Sequence, residues 1–217
     1  MRAAFLAVAL VASGCFTWTS GDPVDGSGDR ATRTVDVDGV RSVRLALPGE
    51  LVVERGAAPL VIEGDDNLVG RVEAEVEDGA LAVRAPEGVR LRPDRPFRFR
   101  VGVDRLEGLA IAGSGGARAS DVAADVLEVS IAGSGDVTLD GRVGRLAVRI
   151  AGSGDVDAAD LAADEAEVRI SGSGDVELRA EKTLDVRISG SGDVRYHGSP
   201  EVSRRVSGSG DVERAGG

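Results

Sequence analysis

The chain is poor in the side chains from which most binding and catalytic sites are built. Its 217 residues include one cysteine, one tryptophan, one tyrosine and one histidine, and aromatic residues make up 3% of the sequence. A single cysteine excludes an intrachain disulfide. A lone histidine, His197, has no cysteine or histidine cluster to share a metal with and reads as a loop residue. So few aromatics leave no stacking platform for bases or sugars. Basic residues are also in deficit: 26 Lys and Arg stand against 37 Asp and Glu, a net charge of −11. Such a surface repels nucleic acid, which is excluded as a partner on this second ground. The N-terminal apolar run, Ala3–Ala12, is ten residues long and too short to span a bilayer.

That run has the length of a signal-peptide core, preceded by the positive charge of Arg2. It leads into Ala12-Ser13-Gly14-Cys15, which resembles a bacterial lipobox. By that resemblance residues 1–14 are a lipoprotein signal peptide. Cys15 is then the acylated first residue of the mature chain and its link to a membrane. Ala12 stands where the lipobox usually has Leu. Phe16 rather than Asp follows the cysteine, so nothing resembles an inner-membrane retention signal, and the outer membrane of a bacterial envelope is the expected location. Acyl chains contribute ~0.8 kcal/mol per buried methylene, enough for stable anchoring when several are present. Residues 15–30, rich in Gly, Ser, Thr and Asp, read as a flexible tether. The GSGD at Gly26–Asp29 follows no strand pattern and is assigned to that tether.

What the chain does have is glycine, 31 residues of it, much of it in one repeated phrase. RISGSGDV occurs at Arg169–Val176 and Arg187–Val194, with variants at Ser130–Val137, Arg149–Val156 and Arg205–Val212, and a weaker AIAGSGGA at Ala110–Ala117. The first glycines fall at Gly113, Gly133, Gly152, Gly172, Gly190 and Gly208, a period of 18–20 residues. A period near 20 is the mark of a solenoid. Around each corner, apolar residues alternate with polar ones: Leu146, Val148 and Ile150 before the Gly152 corner, for example, and Val156 after it. Period-two alternation rich in β-branched residues means strands with one buried face.

The unequal steps have one source. From the last inward residue of one unit to the first of the next, the chain takes 7 residues (Leu139 to Leu146), 8 (Ala158 to Ala166), 6 (Leu178 to Leu184) and 6 (Tyr196 to Val202). The glycine corner never varies, and all the variation lies in a loop opposite it. The expected fold is therefore all-β: a single-domain parallel β-helix over 31–217, with two short strands per coil. Residues 31–108 are read as irregular early coils and 109–217 as regular GSGDV coils. A separate small β-domain ending at Pro86–Pro96 is the alternative for the early part. Energetics demand the array. One coil buries about five aliphatic side chains at ~1.5–3 kcal/mol each, while ordering some twenty residues costs ~1–2 kcal/mol apiece. A coil folds only against its neighbours. In the last unit, Arg204 and Arg214 stand at inward positions, as a solenoid end needs to discourage stacking of further copies.

The GSGDV repeats, the alternating prelude and the lipobox together resemble the auto-transporter adhesin, head GIN domain family of bacterial envelope proteins. The resemblance covers nearly all of 31–217. It implies a right-handed β-helix with GSG at turns between sheets, a role in cell adhesion through an unknown protein or glycan ligand, and no established catalytic residues. Gly116-Ala117 replaces Asp-Val in the first copy.

One constellation carries candidate chemistry. Asp136, Asp155, Asp175, Asp193 and Asp211 form an acidic column with neighbours about 4.8 Å apart. Like charges at that spacing raise one another's pKa or recruit a cation. A Ca²⁺ ladder is one reading. The other is corner hydrogen bonding, with the column neutralised by Arg149, Arg169, Arg187 and Arg205 on the preceding strand. The expected function is a non-catalytic, membrane-anchored envelope lipoprotein presenting a solenoid surface, with no cofactor. The alternatives are a periplasmic structural or assembly factor and a polysaccharide-acting β-helix enzyme.

Overall fold

The computed structural model describes residues 23–215. In chain order the elements are β1 (Pro23–Asp25), β2 (Arg30–Val35), β3 (Ser42–Ala46), β4 (Gly49–Arg55), β5 (Ala58–Asp65), α1 (Asp66–Val69), β6 (Glu73–Glu77), β7 (Ala80–Arg84), β8 (Arg90–Arg92), β9 (Phe97–Val103), β10 (Gly108–Gly113), β11 (Gly116–Gly133), β12 (Val137–Gly152), β13 (Val156–Gly172), β14 (Val176–Gly190), β15 (Val194–His197), β16 (Glu201–Gly208) and β17 (Val212–Arg214). They build a β-solenoid of about five turns.

From β10 onward each coil pairs in parallel with the next, and equivalent residues lie over one another. Val129, Val148, Val168 and Val186 share one inward column; Ile131, Ile150, Ile170 and Ile188 share the next. On the other side of the corner, large and small residues alternate along the axis, Ala119 against Leu139 and Ala158 against Leu178, so that each leucine fills the space its neighbour leaves. All of these side chains are buried in one cluster that runs from Val40 to Val212.

The corner is held by the backbone. Ser153 N–H donates to the Gly133 carbonyl at 2.8 Å, and Ser173, Ser191 and Ser209 repeat the bond at 2.9 Å to Gly152, Gly172 and Gly190. The coils approach so closely that a Cβ at Gly174 would run into the Gly154 carbonyl oxygen; Gly172, at φ +142°, would meet Gly152 in the same way. Glycine is required here by contact between turns as well as by backbone conformation.

Opposite the corner, β11 to β14 run on without a loop, and only between β15 and β16, at residues 198–200, does the strand break. The ladder continues through the second bend, and the extra residues appear as register shifts between Ala119 and Val122, Thr138 and Asp140, and Ala158 and Ala162. A β-bulge absorbs an added residue with less loss of hydrogen bonding than a loop would entail.

The early coils are not stacked in chain order. The rung made by β3 and β4 lies between that of β7 and β9 on one side and that of β10 and β11 on the other. Below β7 and β9 the strands turn antiparallel: β6 pairs β7 through the Asp78-Gly79 turn, β5 pairs β9, and β2 pairs β5. These reversals close the first end of the solenoid. Phe97 and Phe99, buried with ring centroids 5.7 Å apart, fill the core there.

Residues 23–30, expected to be tether, are instead fastened to this cap. Strand β1 pairs β8, and the GSGD that follows is clasped by Asp65-Asp66-Asn67. The Asp65 carboxylate, 3% exposed, accepts from Gly28 N–H at 2.9 Å and Asp94 N–H at 3.0 Å. Asn67 accepts from Ser27 N–H at 3.0 Å and donates to the Asp25 carbonyl at 2.9 Å. A Cβ at Gly26 would collide with the Asp65 carboxylate. The composition is that of a linker, but complementary backbone bonding to a buried acceptor outweighs the entropy of a short segment.

Two measurements check this construction. Gly174→Ala should cost about 3 kcal/mol, while Ser173→Ala, whose role lies in its backbone N–H, should stay within about 0.5 kcal/mol; denaturant midpoints distinguish them. Asp65→Ala leaves two amides without their acceptor and should cost about 2–3 kcal/mol, with hydrogen exchange accelerated first at Gly28 and Asp94.

Candidate functional site

The corner column is a hydrogen-bonded ladder. Asp155 N–H donates to Asp136 Oδ1 at 3.2 Å; Asp175, Asp193 and Asp211 N–H donate in turn to Asp155, Asp175 and Asp193 Oδ1, each at 2.8 Å. The main-chain oxygens are used as well, Val156 N–H donating to the Asp175 carbonyl at 2.9 Å. One carboxylate oxygen of each aspartate below the last thus accepts from the next turn. Among the described residues no group of three or more His, Cys, Asp or Glu side chains is gathered as a metal would need. Cys15 lies outside the described residues.

The arginine column forms but does not serve the aspartates. Arg149, Arg169, Arg187 and Arg205 are in register on the outer face. The partners of Arg149, Arg169 and Arg187 come from the column two residues earlier on that same face. Arg149 lies 3.9 Å from Glu128; Arg187 lies 3.2 Å from Glu167 and 3.0 Å from Asp185; Arg169 also pairs with Glu167. The corner intervenes between the arginines and the aspartates, so the nearer carboxylates on the same sheet win.

Glu167 is the hub of this face. Its side chain is 15% exposed and receives Arg145 at 2.9 Å besides Arg169 and Arg187, so it ties three consecutive coils together. Partial burial pushes its carboxyl up, but the Arg145 hydrogen bond and the charges of Arg169, Arg145 and Arg187 outweigh this and hold it below the ordinary value of 4.5. The repeat itself does not mark this residue, because Ala147 and Asp185 occupy the equivalent positions.

The surface hollows are open grooves. One of about 430 Å³ runs over Glu167 between Arg145 and Glu201. Another, of about 240 Å³, follows Asp155, Asp175 and Asp193 on the other side of the corner. His197 lies at the edge of this side, its Nε2 2.8 Å from Glu177, which Arg195 approaches at 3.9 Å. No helix among the described residues is long and apolar enough to cross a membrane.

A parallel solenoid with glycine corners, a closed first end and in-register charged faces defines the class. The family model of the putative auto-transporter adhesin, head GIN domain, matches residues 41–200, and the chain belongs to that family. By that description it is kin to cell-envelope or surface proteins rather than to enzymes. Among solved structures, a putative adhesin from Bacteroides fragilis is similar over 88% of this chain and 99% of its own, at 22% identity and a TM-score of 0.71. A putative lipid binding protein from Parabacteroides distasonis is similar over 89% and 100%, at 25% identity and a TM-score of 0.57. A putative adhesin from Parabacteroides merdae is similar over 90% and 100%, at 21% identity and 0.51. The two adhesins support the fold alone. No curated protein sequence matches this chain.

The Glu167 hub has a pH signature. Because its folded pKa lies below the unfolded one, its contribution is fully present above the unfolded value near 4.5 and is lost as pH falls through the folded value. Glu167→Gln should cost about 1–2 kcal/mol at pH 7, and the difference from the wild type should shrink as the pH is taken below 4.5; denaturant titrations at several pH values read it.

Proposed function

We propose that this chain is a non-catalytic envelope lipoprotein, held at an outer membrane through acylated Cys15, whose solenoid is a rigid head for adhesion to a protein or glycan. The observation that carries this reading is the in-register array of exposed charged columns on a backbone that pairs turn by turn. Such a face is rigid before it meets a ligand, so little conformational entropy is lost on binding. The role needs no cofactor. Lipid contact, the property named for the Parabacteroides distasonis relative, falls in this chain to the acylated terminus, since stacked Leu, Val and Ile fill the interior. The periplasmic assembly reading shares every one of these features and differs only in the face of the membrane on which the head stands.

Metabolic labelling with a palmitate analogue should mark the wild type and move it to the membrane fraction, while Cys15→Ser should do neither. Protease added to intact cells should then remove the head; protection from shaving, with digestion after the outer membrane is opened, gives the periplasmic reading.

A further inference from the structure

The two ends of the solenoid differ. The first is sealed by antiparallel strands and the clasped GSGD segment. The last coil, β16 and β17, has no strand beyond it among the described residues. In each turn from Gly133 to Gly190 the Gly carbonyl accepts a Ser N–H from the next coil, the Asp Oδ1 accepts an Asp N–H, and the Val N–H donates to an Asp carbonyl. The same groups of the final turn, Gly208 O, Asp211 Oδ1 and Val212 N–H, point toward a coil that the described residues do not supply. They are already arranged to receive an extended backbone.

The side chains of this end select what can be received. Val202 and Val206 continue the aliphatic columns, yet Val206 is 38% exposed where Ile188 beneath it is 2% exposed. Between them, over Val186, stands Arg204. It donates to the Val212 carbonyl at 3.1 Å, and among the described residues no carboxylate lies within ion-pair distance of it, of Arg205 or of Arg214. A further coil of this chain's own kind would set a valine over Arg204 and bury its charge unpaired, at a cost of several kcal/mol. A second copy's last coil would set arginine against arginine. A strand with a carboxylate at that position satisfies the charge, while its flanking aliphatics cover Val202 and Val206. The same arginine that rejects copies therefore favours an acidic strand.

We propose that the C-terminal coil is a β-augmentation edge that accepts an extended segment of a partner protein, added parallel to β16, with the pattern apolar–x–acidic–x–apolar followed by a glycine turn. This deepens the proposed function and rests on the reading of the solenoid as a binding module. It adds a contact on the terminal rung to the surface that the charged faces present.

The test uses the full chain and synthetic peptides built on residues 184–194, the natural coil beneath the edge, LDVRISGSGDV. In one peptide the position of Val186 is Glu, in a second it is Val, and in a third Lys. Fluorescence anisotropy should show the Glu peptide binding at least tenfold more tightly than the Val peptide, with the Lys peptide weakest. Arg204→Glu should invert the order, the Lys peptide becoming the tightest. That inversion cannot come from an unfolded variant. Equal binding of the Glu and Val peptides, or no binding of the Glu peptide at millimolar concentration, overturns the proposal. So does concentration-dependent dimerisation of the wild type that Arg204→Glu abolishes, because the occupant is then a second copy. Adhesion and acylation are read on cells, so either reading can fail without the other.

Discussion

The close approach of successive turns at the glycine corner is the constraint on which the rest depends. Neither glycine of the corner can carry a Cβ, because the carbonyl of the turn below occupies its place. This fixes the distance and the angle at which one turn meets the next. Given that, the Ser N–H, the Asp carboxylate and the aliphatic columns all fall into repeat without separate specification. Serine and aspartate contribute through the bonds they make between turns, the first with its backbone and the second with its side chain. The aspartate column is thus first a structural device. Its like charges are tolerated because each engaged carboxylate faces a backbone dipole of the adjacent turn.

The outer faces follow a looser rule. Inward columns stay aliphatic, those of Val129 and Ile131 nearly without change, but outward ones change from Ala110 through Ser130 to Arg149 and Arg169 along a single column. A solenoid separates the two tasks: the repeat maintains the interior, and the exterior is free to vary from turn to turn. Glu167 shows what that freedom permits. A single carboxylate, at a position where its neighbours are alanine and aspartate, links arginines of three turns.

The regular coils were legible in the sequence because period and alternation are local. The alternation of Leu146, Val148 and Ile150 and the even spacing of the glycines announce the inward columns, and the same spacing sets Arg204 and Arg214 at the inward positions of the last coil. The antiparallel cap was less legible. Asp78-Gly79 between two alternating runs is a hairpin signal, but the placement of β3 between β7 and β10 depends on contacts far apart in the chain, which no local pattern announces. The GSGD at Gly26–Asp29 was visible and was assigned to the tether, because its partners, Asp65 and Asn67, lie some forty residues away. Arg149 and Arg169 were placed correctly, but their partners were not. Pairing across a corner and pairing along one face look alike in sequence and differ only in geometry.

The clasp at Asp65 also sets a leash. Pro23 onward is fixed to the cap, so under the proposed acylation of Cys15 only eight residues separate the anchor from the cap, a span of at most about 29 Å. Under that same proposal the sealed end is the one tethered toward the anchor, and the rung carrying Arg204 is the one remote from it.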